Sequence, residues 1–263
     1  IRNLDEDPTH YIHVPELYDI PYRCYYSKST ENLMMAGRCI SVTHMAHGST
    51  RIMGTCSVGG QAVGTAAALA VQKGILPRDV SAHIFELQQV LLKDDCFLLH
   101  VRNQDENDRA RLGTAQSAIA QEGFEASNLL NGIARTTAQG SNCWNTGDLS
   151  EPRSVQVTLD RPAAIREVIC RFDTQLGREI SMFIFTAHLA DQVRGVPPEL
   201  VKDFGLRFIL EGKTVHELRV DNNIIRNATL RLEKAVFCDT IELTVYSTYG
   251  AHNANVFEIR AYE

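Results

Sequence analysis

Beyond residue 150 the chain repeatedly alternates apolar and polar residues with a period of two. The apolar members are Val155, Val157 and Leu159; Val168, Cys170 and Phe172; Leu206, Phe208 and Leu210; Leu230 and Leu232; Ile241, Leu243 and Val245; Phe257 and Ile259. Side chains on a strand point alternately to opposite faces, so this period gives each segment one buried and one solvated face. Many such runs separated by turn-rich loops specify an antiparallel sandwich or barrel.

The first hundred residues follow other rules. Pro8, Pro15 and Pro21 stand among Tyr11, Tyr18, Tyr22, Tyr25 and Tyr26, a composition suited to short extended pieces, with a strand expected at Tyr11–Val14. Asn32–Arg38 is an apolar run ending at Gly37 and predicts a buried strand over Asn32–Ala36. In open α/β sheets ligands gather at the C-terminal ends of strands. Ser57–Lys73 predicts a helix crowded with Gly59, Gly60 and Gly64 near its start, closed by Gly74 and stopped by Pro77. Each glycine weakens a helix by about 1 kcal/mol relative to alanine, so close approach of another group is the expected compensation. A second amphipathic helix is predicted over Ser81–Lys93, with Ser81 as N-cap and Ile84, Leu87, Val90 and Leu91 on one stripe. The polar stretch Asn103–Arg111 predicts a linker, which divides the chain into 1–102, 103–111 and 112–263.

Composition excludes several functions. The net charge is −6, with Lys and Arg scattered, so there is no electrostatic footprint for nucleic acid. The longest apolar candidate, Ala66–Val71, is far too short to span a bilayer, and a soluble protein is expected. Seven widely spaced cysteines without a C-x-x-C pair argue against zinc and against a complete disulfide framework, and leave a cytoplasmic or a periplasmic or secreted location open. The chain opens on Ile1 without a signal-peptide pattern, as a mature form or a fragment would. His44 and His47 lack further ligands at metal spacing, so no metal is expected. Cys56 stands before the expected helix, where a dipole can activate a thiol, although a packed cysteine is commoner there.

Chemistry concentrates in Ala36–Ala70, which combines a strand end, a cation (Arg51), a hydroxyl (Thr55) and a glycine-opened helix. Unpaired N–H groups at a helix start favour an electron-rich ligand such as a flavin edge or a phosphate. The competing reading is a salt-bridged arginine beside a tightly packed helix. YDIPYR (Tyr18–Arg23), ENLMMAGRCIS (Glu31–Ser41), STRIM around Arg51 and GGQAVGTAAALA (Gly59–Ala70) together resemble the C-terminal end of FAD-dependent oxidoreductases of the glutathione reductase-type flavoprotein fold. The likeness covers about the first 95 residues. It implies that Gly37, Arg38, Arg51, Thr55, Gly60, Gln61 and Ala62 touch FAD; Tyr22 and Arg23 either face its substrate side or form an aromatic-arginine pair inside the fold, the commoner case. The family's dinucleotide-binding half carries a G-x-G-x-x-G loop, which these 263 residues lack. FAD binding is therefore expected only together with an N-terminal flavoprotein half, and the chain alone is expected to be inactive.

In the second part, GFEASNLLNG (Gly123–Gly132), Cys143–Trp144, Ser154–Phe172 and NVFEIRAYE (Asn255–Glu263) resemble the discoidin-like, galactose-binding-like jelly roll. That resemblance implies carbohydrate contact through the loops Gln139–Ser150 and Ser247–Asn255, with Trp144, Tyr249, His252 and Asn253 as candidates, although Trp144 also suits the core. A structural calcium would use an Asp-Gly turn and a C-terminal carboxylate. Here Asn131-Gly132 replaces the first and Glu258 matches the second, which weakens a hard-cation site.

The expected fold class is therefore α+β: a partial FAD-binding α/β segment followed by an antiparallel β-sandwich of jelly-roll type. The expected function is hydride transfer between a small-molecule or carbohydrate substrate and flavin. The alternative is a non-enzymatic sandwich that binds carbohydrate or serves structure alone.

Overall fold

A computed structural model describes residues 17–178 and 192–263 of the chain. The strand expected at Tyr11–Val14 lies outside these residues. The chain forms two compact units, one running to Leu91 and including Leu98–Val101, the other comprising Leu92–Phe97 and Arg102–Glu263. No described helix is long and apolar enough to cross a membrane.

The first unit contains helices α1 (His44–Thr50) and α2 (Met53–Lys73), and α3 (Ile84–Lys93) begins within it. Helix α2 ends as its sequence requires: Gly74 adopts φ +63°, and its N–H donates to the Ala70 and Val71 carbonyls. One face of α2 buries Gly59, Ala66, Leu69 and Ala70. A Cβ at Gly59 would stand 3.0 Å from the Tyr25 hydroxyl, so a larger residue there would make the Tyr25 ring give way.

Two sequence expectations change in this unit. The strand expected over Asn32–Ala36 is only a bridge, Tyr26 to Met34, with Leu33 exposed. Its short apolar run finds one partner, the Tyr25–Ser27 segment, so no sheet grows from it. The helix expected from Ser81 instead begins as a 3-10 turn, Pro77–His83, before α3. Asp79 accepts the Leu76 N–H at its start, and the Ser81 hydroxyl turns back to the Arg78 carbonyl. Leu87 and Leu91 are buried, whereas Ile84 and Val90 are exposed.

The second unit is an antiparallel β-sandwich. Its described strands are β1 (Thr114–Gln116), β2 (Trp144–Asn145), β3 (Arg153–Phe172), β4 (Val201–Leu210), β5 (Lys213–Val220), β6 (Asn227–Thr248) and β7 (Asn255–Tyr262). They pair in the order β2-β7-β3-β6-β4-β5, with β1 on β3. Strand β3 is divided at a register break between Thr158 and Ala163, where Pro162 has no N–H to give to the ladder. Before the break β3 lies between β1 and β6; after it, between β7 and β6. Val155, Val157 and Leu159 from the first half share one core with Ile165, Val168, Cys170 and Phe172 from the second, so the sheet folds over itself. Phe172 and Phe204 meet edge to face with centroids 4.9 Å apart.

The segment read as a linker is packed into this unit. Asp108 is buried; its Oδ1 accepts from the Ala110 and Ala261 N–H groups, and its Oδ2 accepts from Asn103 Nδ2 at 2.7 Å. The polar residues of Asn103–Arg111 hold the last strand in place, a use that composition alone does not distinguish from solvation.

Burial pushes the Asp108 carboxyl up from 3.8 to about 6, with nearby Glu258 adding to the rise and the Ala261 N–H opposing it. A carboxyl raised in the folded state binds its proton more tightly there than in the unfolded chain. Its contribution is complete below about pH 4 and is lost as pH rises through about 6, on the order of 3 kcal/mol. Stability measured by denaturant unfolding from pH 4 to 7 should therefore decline less steeply with rising pH in Asp108→Asn than in the wild type. Parallel profiles would remove Asp108 as the cause.

Candidate functional site

In the first unit, the 3-10 turn Gly37–Cys39 packs against both α1 and α2, which draws several candidate residues into one neighbourhood. Gly37 has φ +66°, and Arg38 projects into solvent. Arg51 is the C-cap of α1 and is also exposed. Neither arginine forms an ion pair among the described residues. Cys56 donates its thiol to the Thr50 carbonyl, the packed role.

Helix α2 starts earlier than the glycines suggest. Its N-cap is Ile52, and the Cys56 N–H already donates to the Ile52 carbonyl. The N–H groups without an intrahelical acceptor are therefore those of Met53, Gly54 and Thr55. Thr55 stands at the helix start as expected, whereas Gly60, Gln61 and Ala62 lie about two turns inside, where helical bonding consumes their N–H groups. The glycine cluster marked the helix start wrongly because Met53–Val58 forms helix without any N-cap side chain to announce it.

Gly60 and Gly64 have another property. A Cβ built on either would have nothing within 4 Å, and at helical spacing they share the face of Ser57 and Gln61, opposite the buried face. A flat ring can approach such a surface closely. With the N–H groups of the first turn and the cations Arg38 and Arg51, this donor set fits a flavin.

The same unit holds a cleft of about 490 Å³ lined by Arg23, Tyr26, Ser27, Lys28, Met35, Ser41 and Arg78. Tyr22 builds it: its hydroxyl donates to the Pro77 carbonyl at 2.6 Å, and its ring packs on Tyr26 at 5.4 Å. Burial, with Tyr26 adding, pushes the Tyr22 phenol to about 12, so it stays a donor. The Arg78 Nε is buried without a partner among the described residues.

In the second unit the two candidate loops do come together. Leu149 donates to the His252 carbonyl at 2.9 Å, and Thr146 to the Ala254 carbonyl at 3.0 Å. His252 and Asn253 are exposed, and Tyr249 is half-buried with Lys202 above its ring. Trp144 is 0% exposed and belongs to the core, so it cannot stack on a sugar. Glu258 is buried between Arg171 and Arg260, which occupies the carboxylate that a calcium site would need. Among the described residues no group of three His, Cys, Asp or Glu could hold a metal.

A polar groove of about 400 Å³ lies on the sandwich instead, and sequence reasoning passed over it. Two rows cross four strands here: Ser154, Thr244, Gly205 and Arg219, then Gln156, Glu242, Arg207 and Glu217. Glu242 is held by Arg207 on one oxygen and by Gln156 Nε2 at 2.7 Å on the other. Arg219 lies 4.1 Å over the Tyr246 ring. Gly205 opens the floor, and a Cβ there would meet the Tyr246 hydroxyl at 3.2 Å. The available signal was the polar half of each period-two run, which records the outer face as clearly as the apolar half records the core.

Residues 2–91 match the family described as FAD dependent oxidoreductase. That family's description implies FAD, and the match covers only this segment of the chain. No curated protein matches the chain. Similar solved structures include the family 32 carbohydrate-binding module from Streptococcus pneumoniae EndoD, at 16% identity and TM-score 0.46, covering 59% of this chain and 99% of that one. The lectin domain of Lectinolysin complexed with Lewis B antigen matches at 13% identity and TM-score 0.45, with 60% and 97% covered. The family 32 module from C. perfringens NanJ in complex with galactose matches at 17% and 0.41, with 59% and 96% covered. The sandwich itself rests on the strand pairing described above.

Proposed function

We propose that the first unit completes the FAD site of an oxidoreductase whose dinucleotide-binding half is supplied in cis or by another chain. The observation carrying this reading is the open Gly60–Gly64 face of α2, in a helix whose first turn has N–H groups without intrahelical acceptors, together with Arg38 and Arg51, which form no ion pair among the described residues. Bound FAD supplies the hydride-accepting ring. Gly60 and Gly64 give that ring a surface without obstructing side chains and Gln61 shares their face, whereas Ala62 lies towards the buried side of the helix. The first-turn N–H groups around Thr55 favour negative charge at its edge, and Arg38 and Arg51 balance the cofactor's charge.

The test separates fold from function at one residue. Gly60→Ala should stabilise the chain by up to about 1 kcal/mol, because alanine is the better helix former and nothing opposes its methyl. The bulkier Gly60→Val should weaken FAD binding at least tenfold, read by visible absorbance with the dinucleotide-binding half present. Unchanged FAD affinity in Gly60→Val would remove the α2 face from the site.

A second reading concerns the sandwich, and it is favoured by the groove around Glu242. Its two carboxylates, Glu217 and Glu242, balance Arg207 and Arg219, while Ser154, Thr244, Tyr246 and Gln156 supply hydroxyls and an amide. A neutral, hydroxyl-rich ligand such as a carbohydrate suits this donor and acceptor set, with Tyr246 as its aromatic member. The exposed loop residues His252 and Asn253 are the alternative place for such a contact.

A further inference from the structure

We propose that the cleft beneath Tyr22 in the first unit is a binding site for an oxyanion, a phosphate or carboxylate group of a small ligand. Three cations line it, Arg23, Lys28 and Arg78, and its described lining holds no carboxylate. None of the three forms an ion pair among the described residues, although the chain carries 32 acidic residues against 26 basic ones. Like charges gathered in one cleft repel, and an anion removes the repulsion.

The fold gathers these cations from distant parts of the sequence. Arg23 lies in the 3-10 turn Tyr22–Cys24, and Lys28 follows the bridge that joins Tyr26 to Met34. Arg78 arrives with the Pro77 turn, which the Tyr22 hydroxyl anchors at 2.6 Å. Hydroxyls are close at hand. Ser27 Oγ accepts the Ser29 and Thr30 N–H groups, which leaves its own proton to donate, and Ser41 is fixed through its N–H on the Cys24 carbonyl. Arg78 also has a buried Nε with no partner among the described residues. Guanidinium groups flanked by hydroxyls are the usual receptors for phosphate and carboxylate.

The site stands apart from the flavin reading, but the origin of its ligand rests on it: the oxyanion belongs either to the cofactor's pyrophosphate or to an anionic substrate. Calorimetric titration of the complete chain with inorganic phosphate at low ionic strength tests the site without flavin. Binding is expected, weakened about tenfold or more in Arg78→Gln and in Arg23→Gln and abolished in Lys28→Glu, with Arg161→Gln unchanged. No ion pair of these side chains is seen among the described residues, so melting temperatures close to the wild type are expected and exclude misfolding. With the dinucleotide-binding half present, phosphate competing with FAD but not with riboflavin identifies the cofactor's pyrophosphate as the source. Phosphate binding alongside FAD identifies the substrate. Absence of phosphate binding by the wild type, or equal binding by Arg78→Gln, overturns the proposal.

Discussion

Replacing Glu258 by glutamine should destabilise the sandwich by about 3–5 kcal/mol, because the change strands two buried guanidiniums. Glu258 is ion-paired with Arg171 and lies 3.0 Å from the Arg260 Nε, and all three side chains are buried. Arg171 also donates to the Leu92 and Lys93 carbonyls and to Asn227, and Arg260 to the Leu92 carbonyl, so the pair fixes the Leu92–Phe97 segment to its unit. Alongside it, Asp95 receives Arg135 at 2.8 Å and Arg226 at 2.9 Å. Burial alone would raise the Asp95 carboxyl, but Arg226, Arg135 and Arg171 overcome it and hold the value below its usual range. The chain has a single tryptophan, Trp144, in the sandwich core, so its fluorescence during denaturant unfolding reports this unit. A surface comparison is available in Arg231→Gln, whose guanidinium is mostly exposed and whose partner Glu167 keeps Lys93, so that it should contribute less than about 1 kcal/mol. An effect of Glu258→Gln no larger than that of Arg231→Gln would show the network to be solvated and the packing account to be wrong.

Trp144→Ala should cost a similar amount, about 3–5 kcal/mol, read by the far-UV circular dichroism melt because the fluorophore is gone. Trp144→Phe should cost less: it leaves most of the ring volume, and the indole N–H that it removes has no hydrogen-bond partner. The same pair of variants separates core from ligand surface. If the groove holds carbohydrate, Trp144→Phe retains binding in a glycan titration while Tyr246→Ala loses it. An unchanged melt in Trp144→Ala would mean that the ring is a surface platform after all.

The sandwich was legible because burial on one face writes itself into every second residue. Val155, Val157, Leu159, Ile241, Leu243 and Val245 are buried where the alternation places them, whereas β7 is buried on both faces around Glu258. The fold-back of β3 was not legible, since its cause is a register break at Pro162 that only pairing reveals. Asn103–Arg111 misled for a related reason: Asp108 is polar in sequence yet buried in structure, its desolvation offset by two backbone N–H groups contributed by Ala110 and Ala261. In the first unit, Gly74 gave the end of α2 through its left-handed backbone, but the helix start carried no capping side chain, and the glycines drew attention two turns too far along. The cationic cleft was invisible because Arg23 and Arg78 are far apart in sequence and meet through a single tyrosine hydroxyl.

Amide hydrogen exchange with and without FAD, in the presence of the dinucleotide-binding half, tests the central claim most directly. Protection is expected at Met53, Gly54 and Thr55 and around Gly37 and Arg38, with the strands of the sandwich unchanged. Protection confined to the sandwich, or FAD binding that leaves the first turn of α2 exchanging as before, would contradict the assignment of this unit to the flavin.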